Sequence, residues 1–223
     1  MKAPKHPAPF SPEILAVLER LVRDEWRAQR RKLTVLDPFA GIGRIHRLAD
    51  PLRVDTIGVE LEPEWAATHE RTICADSICW MERRAMPVDV VATSVDYGNR
   101  FADRHEARDG SRRRSYKHDL GRELSEASIV APWGPRYWHG HARAYRAMLR
   151  VLRPGGLLLL NVSNFVRSDR EVHAVEWHMG ALAGAGFIHV QLPVKVPTRR
   201  MRDGANHKAR VDGEVILRYR RPT

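Results

Sequence analysis

Two polar stretches near the start of the chain have residue types that suit ligand binding. The first, Asp37–Gly43, reads Asp-Pro-Phe-Ala-Gly-Ile-Gly and directly follows the apolar run Leu33–Leu36. Glycines at such a point let the backbone pass close to a ligand, and a helix that follows would present free N–H groups. The chain lacks the third glycine of a dinucleotide fingerprint and the Lys-Ser/Thr pair of a phosphate-binding loop. This argues against a nucleotide-phosphate site.

Acidic residues follow the next two apolar runs. Glu60 directly follows the run Val54–Val59. Asp76 and Ser77 directly follow the run Arg71–Ala75. A carboxylate at the end of a second parallel strand can accept hydrogen bonds from both hydroxyls of a ribose. Each signal alone is common. Together, at the carboxyl ends of three successive strands, they predict one ligand-binding crevice.

The elements that must position these residues alternate between strand and helix. Continuous apolar strands suit a parallel sheet that is covered on both faces, and the tail has two β-like runs joined by a basic loop. We therefore predict a single doubly wound α/β domain over residues 1–223, with a mostly parallel sheet that ends in an antiparallel hairpin. The predicted strands are Leu33–Leu36, Val54–Val59, Arg71–Ala75, Val88–Ala92, Leu157–Val162 and the hairpin Val190–Val196 with Val211–Tyr219; the predicted helices are Pro12–Arg30, Pro63–Arg71, His139–Leu152 and Glu171–Ala185.

With these stretches the chain resembles the class I S-adenosylmethionine-dependent methyltransferases, which have a Rossmann-like fold. The spelling Asp-Pro-Phe-Ala-Gly with a further glycine is similar to the DNA amino-methyltransferases, which modify adenine N6 or cytosine N4. The run His6–Glu13 resembles the segment that closes over the methionine end of the cofactor in that family. The resemblance implies S-adenosylmethionine as the cofactor, with contacts from Phe10, Asp37, Phe39, Ala40, Gly41, Gly43, Glu60, Asp76 and Ser77.

The fourth strand leads into Thr93–Arg100, which is called the catalytic turn below. At this place the resembled family has a polar residue, two prolines and an aromatic residue. A polar side chain and a backbone carbonyl accept the two hydrogens of the target amino group. This localises its lone pair toward the methyl group. The aromatic stacks on a base that has been flipped out of the duplex. The prolines keep the turn rigid. The resemblance implies Ser94, Asp96 and Tyr97 as the catalytic residues.

Val95 and Asp96 stand where the family has the two prolines. Val95 restores a backbone N–H and removes the ring that restrains φ, whereas Asp96 adds a carboxylate beside the target pocket. Three interpretations remain open. Other contacts hold the turn, or Asp96 serves as a base or acceptor for a different nucleophile, or the site is inactive.

The charge balance favours a polyanionic partner. The chain has 38 Lys and Arg against 27 Asp and Glu, which gives a net charge of +11, and its isoelectric point is near 10.3. A basic insert at about 98–138 leaves the sheet directly after the catalytic turn, and we predict that it contacts DNA; the alternative is a solvated loop. The predicted DNA-binding residues are Arg100, Arg112, Arg113, Arg114 and Lys117. A second basic run, at 199–210, lies in the tail hairpin, and the sequence does not decide whether it is on the same face as the insert.

Several classes of protein are disfavoured. No apolar run approaches the roughly 18 residues of a membrane span, and the first residues lack the apolar core of a secretion signal, so we expect a cytoplasmic protein without membrane association. The histidines and Cys74 with Cys79 do not have metal-site spacing, and we expect no metal.

Three functions remain: a DNA amino-methyltransferase of a phage or restriction-modification system, a methyltransferase-like protein that binds without turnover, and a methyltransferase for RNA or a small molecule. The sequence does not indicate an oligomeric state.

Overall fold

The computed structural model describes residues 6–84, 87–96, 116–167, 170–197 and 213–223. The elements in chain order are α1 (Pro12–Gln29), β1 (Thr34–Asp37), a 3-10 turn (Arg44–Leu48), α2 (Ala49–Leu52), β2 (Asp55–Glu60), α3 (Pro63–Ala66), β3 (Thr72–Cys74), α4 (Ser77–Arg83), β4 (Val88–Ser94), α5 (Tyr116–Leu120), α6 (Pro135–Val151), β5 (Leu152–Ser163), β6 (Phe165–Arg167), β7 (Arg170–Val172), α7 (Ala174–Gly184), β8 (Ile188–Lys195) and β9 (Glu214–Arg220).

Seven of the strands form one sheet in the order β3-β2-β1-β4-β5-β9-β8. The first five in that order are parallel, whereas β9 is antiparallel to both β5 and β8. The predicted doubly wound α/β fold with a terminal antiparallel hairpin is therefore confirmed. The hairpin lies at one edge of the sheet, as its place in the sequence indicated.

The central strands are covered on both faces. Leu36 of β1 and Val91 of β4 pack on the side of α4, α6 and α7. Val35 and Val90, their neighbours in sequence, pack on the other side, against α1 and the segment 45–54. Because successive side chains of a strand point to opposite faces, burial on both faces requires apolar residues at every position. This explains the continuous apolar runs in the sequence.

Some predicted boundaries were wrong. The predicted helix Pro63–Arg71 stops at Ala66, because the N–H groups of Thr68 and His69 make tight i to i−3 turns that lead toward β3. The predicted helix Glu171–Ala185 begins only at Ala174, because Arg170–Val172 pairs with Phe165–Arg167 in a two-stranded hairpin. Helix α6 begins at Pro135, a residue suited to the first helical position, so the end of the predicted insert belongs to this helix.

Candidate active site

The sheet brings four of the predicted residues to the carboxyl ends of its parallel strands. Asp37 ends β1, Glu60 ends β2, Ser94 ends β4, and Asp76 follows β3. Since β1 lies between β2 and β4, Asp37 lies in the middle of this row. The stretch Asp37–Gly43 is called the first loop below. It thus lies beside Glu60 and Ser94 at the carboxyl ends of adjacent parallel strands, where α/β sheets bind their ligands.

Glu60 is hydrogen-bonded to the first loop. The N–H of Gly41 donates to its Oε2 at 2.8 Å, and the N–H of Glu62 donates to its Oε1 at 2.9 Å. Burial raises the pKa of the Glu60 carboxyl, while these two hydrogen bonds oppose the rise. The N–H of Leu61 is a third backbone donor to this carboxylate, which has about four lone pairs, so Glu60 can accept at least one further hydrogen bond from a ligand hydroxyl.

The two glycines of the first loop are needed for both conformation and space. Gly41 and Gly43 have φ values of 52° and 72°, in the left-handed region that favours glycine. A Cβ on Gly43 would lie 2.8 Å from the Cβ of His69, and one on Gly41 would lie 2.9 Å from Nε2 of His6. The loop continues into the 3-10 turn Arg44–Leu48, whereas the sequence indicated an ordinary helix N-terminus.

Asp37 links the ends of β1 and β4. Its Oδ1 accepts hydrogen bonds from the N–H of Phe39 at 3.1 Å and from the hydroxyl of Thr93 at 2.7 Å. Burial raises the pKa of Asp37 to about 7, against the opposing effect of these hydrogen bonds, and the charge of Glu60 adds to the rise. A carboxyl with this pKa would ionise at neutral pH when a cation binds beside it.

Three other predicted cofactor residues, Asp76, Ser77 and Ala40, lie just beyond the strand ends. Asp76 caps α4, and its Oδ1 accepts hydrogen bonds from the N–H groups of Ile78 and Cys79 at 2.9 and 3.3 Å. Ser77, the first residue of that helix, is buried, and so is Ala40 in the first loop. The cap alone accounts for an acid at position 76, so any contact with a cofactor would be an additional role.

The N-terminal segment covers the Gly41 loop with His6. The His6 ring centroid lies 4.4 Å from that of Trp65 and 5.5 Å from that of Tyr116. These three rings are called the His6–Trp65–Tyr116 cluster below. Phe10 is instead buried in the core beside α1. The sequence placed His6 in the run expected to close over the cofactor, but it did not relate that ring to Trp65 or Tyr116, because no local pattern relates positions so far apart.

Tyr116 lies close to the acids of two strand ends. Burial raises the pKa of its phenol well above the usual value, and the charges of Asp96 and Glu60 add to that rise. The phenol is therefore neutral at physiological pH. The His6–Trp65–Tyr116 cluster therefore lies within electrostatic reach of both Glu60 and Asp96.

Glu62 fixes the segment after α5 against the loop after β2. It accepts hydrogen bonds from the N–H and the hydroxyl of Ser125 at 2.9 and 3.0 Å, and it pairs with Arg122 at 2.7 Å. Arg122 also pairs with Glu64 at 2.6 Å. The sequence grouped Arg122 with the basic insert. Its charge is in fact balanced by two glutamates of the segment that follows β2.

Ser94 is held from the neighbouring strand. Nδ2 of Asn161, which is fully buried in β5, donates to Oγ of Ser94 at 3.3 Å and to Oε1 of Glu214 at 3.1 Å. Sequence reasoning missed Asn161 and Glu214. The available signal was a polar residue inside the apolar run Leu157–Val162, since a buried amide in a strand requires partners.

The catalytic turn is described as far as Asp96. The Val95 side chain is buried in the core on the side of α4, α6 and α7. The hydroxyl of Tyr137 donates to the backbone carbonyl of Asp96 at 2.5 Å. Tyr97 lies outside the described residues, and its stacking role stays a prediction.

Aromatic rings surround Tyr137 on the side of α6 and α7. The ring of Trp133 lies 5.1 Å from that of Tyr137, 5.6 Å from that of Trp177 and 5.9 Å from that of Phe165. Trp133 is only half-buried. Together with the hairpin β6-β7, it places apolar aromatic surface near the catalytic turn, of a kind that suits a planar ring.

The predicted DNA contacts cannot be placed. Arg100, Arg112, Arg113 and Arg114 lie outside the described residues, as does the side chain of Lys117, whose backbone belongs to α5. Among the residues that the structure describes, no three His, Cys, Asp or Glu side chains are grouped to hold a metal ion. No helix within the same ranges is both long and apolar enough to cross a membrane.

The sequence matches no protein-family profile and no curated protein. The fold does have known counterparts. An S-adenosylmethionine-dependent methyltransferase from Clostridium acetobutylicum superimposes with a TM-score of 0.55 at 9% identity, over 94% of this chain and 92% of that one. The chain has the class I methyltransferase fold.

Two further structures show how widely the chemistry of this fold varies. The sugar N-methyltransferase KedS8 from Streptoalloteichus has a TM-score of 0.52 at 18% identity, over 94% of this chain and 88% of that one. The [4+2]-cyclase SpnF has the same TM-score and identity, over 92% and 82% of the two chains. At such identities the likeness establishes the fold. The reaction must be argued from the site itself.

Proposed function

We propose that this chain transfers a methyl group from S-adenosylmethionine to an exocyclic amino group in DNA, at adenine N6 or cytosine N4. The observation that carries the proposal is the row of Glu60, Asp37 and Ser94 at adjacent strand ends. This row puts a ribose acceptor, a buried acid and a polar acceptor for an amino group along one crevice.

The residues on the cofactor side fit S-adenosylmethionine. Glu60 keeps a lone pair for a ribose hydroxyl, and the positive φ of Gly41 lets the loop backbone turn beside this carboxylate. Asp37, which has a pKa of about 7, suits the cationic methionine end. When bound, the cofactor supplies an electrophilic methyl group on a positively charged sulfur. The His6–Trp65–Tyr116 cluster would keep water from the loop beside it.

The residues on the acceptor side fit an amino group on a planar base. Oγ of Ser94 accepts one amino hydrogen, and a backbone carbonyl of the following turn accepts the other. The donation from Asn161 Nδ2 fixes the orientation of Ser94, so this acceptor is preorganised. The half-buried ring of Trp133 supplies apolar surface on which a flipped base can pack.

The charge of the chain supports nucleic acid as the acceptor. A net charge of +11 favours a polyanion, and the arginines between 100 and 114 directly follow the catalytic turn in sequence. A site close to the strand ends, followed in sequence by a basic segment, suits a base that is drawn from a duplex.

Two measurements test the proposal. Nucleoside mass spectrometry of DNA from cells that express the protein should detect N6-methyladenine or N4-methylcytosine above the level of cells that express Ser94→Ala. Tritium transfer from labelled S-adenosylmethionine should reach duplex DNA in preference to RNA. Cofactor binding by calorimetry without transfer to DNA would instead favour another acceptor or a binding protein without turnover. Absence of cofactor binding would overturn the whole assignment.

A further inference from the structure

A buried chain of three polar rings ends on the catalytic turn. Tyr137 and Tyr145 belong to α6, and His178 belongs to α7. The Tyr137 hydroxyl lies 2.5 Å from the carbonyl oxygen of Asp96 and 2.9 Å from Nε2 of His178, and the Tyr145 hydroxyl lies 2.5 Å from Nδ1 of His178. All three side chains are fully buried.

Only one arrangement of hydrogens satisfies this chain when His178 is neutral. The Asp96 carbonyl can only accept, so the Tyr137 hydroxyl donates to it. Nε2 of His178 must then carry the ring hydrogen and donate to the Tyr137 oxygen, which leaves Nδ1 to accept from the Tyr145 hydroxyl. Burial holds the pKa of His178 well below its usual value, and the nearby His141 lowers it further, so the ring is neutral at physiological pH.

The ring of Tyr137 is also held in place by a neighbouring side chain. The imidazole of His141, one helical turn further along α6, stacks on the Tyr137 ring with centroids 3.9 Å apart. Its Nδ1 donates to the backbone carbonyl of Tyr137 at 2.9 Å. The phenol that reaches Asp96 is therefore fixed by stacking as well as by its hydrogen bonds, and it cannot move without breaking buried contacts.

We propose that Tyr137, oriented by His178 and Tyr145, is a positioning residue that holds the catalytic turn in place of the two prolines of the resembled family. A proline pair restrains φ from within the turn, whereas Tyr137 restrains the Asp96 carbonyl from outside it. The buried side chain of Val95 anchors the preceding position. The inference rests on the proposed function, since it gives the restraint a catalytic role.

The restraint itself is tested without any assay of activity. Hydrogen–deuterium exchange of the peptide that contains residues 92–97 is compared in Tyr137→Phe and in the matched control Tyr145→Phe. Both variants remove one buried hydroxyl from His178, but only the first frees the Asp96 carbonyl. Exchange of this peptide should be roughly two- to tenfold faster in Tyr137→Phe and should change by less than about twofold in Tyr145→Phe, which acts on the turn only through His178. Equal exchange in the two variants, at similar thermal stability, would overturn the inference.

The catalytic role is tested by rescue. Tyr137→Phe should lower kcat for methyl transfer by about 10- to 100-fold and leave the affinity for S-adenosylmethionine unchanged. Adding Val95→Pro with Asp96→Pro to Tyr137→Phe should restore at least a third of the lost rate, because the prolines supply the missing restraint. If the proline pair fails to rescue a folded Tyr137→Phe protein, the positioning role is wrong. If wild type transfers no methyl group while the exchange difference stands, the proposed function fails and the restraint survives.

Should Tyr137→Phe fail to fold, His178→Gln provides the second variant. Its side-chain amide can donate to the Tyr137 oxygen but cannot accept from Tyr145 in the same geometry. The turn should then keep its slow exchange and the protein should keep most of its kcat. His178→Leu, which removes this donor, should speed the exchange of the same peptide. Equal exchange at residues 92–97 in folded His178→Gln and His178→Leu proteins would contradict a turn held through a Tyr137 hydroxyl that His178 orients.

Discussion

The N–H of Gly41 donates a hydrogen bond to Oε2 of Glu60 at 2.8 Å, across the ends of β1 and β2. This bond joins the two features that the sequence presented separately, the glycine loop and the acid. Glu60 thereby fixes the backbone at the point where a ligand must approach. The same side chain that shapes the loop is therefore our proposed acceptor for the ribose hydroxyls.

Replacing Glu60 by Ala should therefore weaken binding of S-adenosylmethionine by about 1–3 kcal/mol, as expected for loss of charge-assisted hydrogen bonds. Isothermal titration measures the change. The matched control is Glu25→Gln, which alters a buried glutamate that pairs with Arg220 beside α1, away from the strand ends. Unchanged affinity in a folded Glu60→Ala protein would show that Glu60 only supports the loop.

Cofactor affinity should depend on pH through Asp37. Its pKa of about 7 in the free protein should fall when a cation binds, because the positive charge favours the carboxylate. Binding then releases a proton, so affinity rises with pH by roughly five- to tenfold between pH 6 and 7.5 and levels off above the pKa. Titration of wild type against Asp37→Asn, which should show no such rise, measures the effect. 5′-Methylthioadenosine, which lacks both positive charges, is the ligand control; an equal rise with this neutral compound would exclude Asp37 as the cause.

Removing the Ser94 hydroxyl should affect chemistry and spare cofactor binding. Ser94→Ala should lower kcat by about a hundredfold, because one of the two preorganised acceptors is lost. Asn161→Ala should cause a smaller loss, since it only frees the orientation of Ser94. Ser128→Ala, at a half-buried loop serine, is the control for folding. A Ser94→Ala enzyme with wild-type kcat would remove this residue from the acceptor pocket.

The arginines beyond the catalytic turn should determine the salt dependence of DNA binding. Replacing Arg112, Arg113 and Arg114 together by Gln should weaken binding and reduce the slope of log affinity against log salt by roughly 0.9 for each lost phosphate contact. The control is the triple variant Arg27→Gln, Arg30→Gln and Arg53→Gln, whose exposed side chains lie near the opposite, amino ends of the strands. Fluorescence anisotropy over a range of salt concentrations gives both slopes. Identical slopes for wild type and the Arg112–Arg114 variant would show that these arginines face solvent.

A substitution that removes the charge of Asp96 distinguishes between the remaining interpretations of the turn that lacks the two prolines. Asp96→Asn keeps the backbone carbonyl that accepts from Tyr137 and removes only the side-chain charge. If Tyr137 holds the turn, tritium transfer to DNA should change less than about threefold in this variant, an effect typical of a nearby spectator charge. A loss of a hundredfold or more would make Asp96 a participant in the chemistry. An increase would show that its charge repels DNA phosphate.

By itself the sequence determined which residues lie at the strand ends. Apolar runs that are buried on both faces have a period and length that can be read locally. Because parallel strands all present their carboxyl ends at one edge, the positions of Asp37, Glu60 and Ser94 directly after or within such runs sufficed to predict that they lie together. The terminal hairpin followed in the same way from two β-like runs at the end of the chain.

Only the tertiary structure decided what surrounds that row. His6 lies on Gly41, and Tyr137 reaches the Asp96 carbonyl 41 residues away in sequence. Such contacts join side chains from elements whose relative positions are set by packing, which no local periodicity encodes. The turn without prolines could not be interpreted from the chain alone, because the hydroxyl that restrains it is brought there by a helix on one face of the sheet.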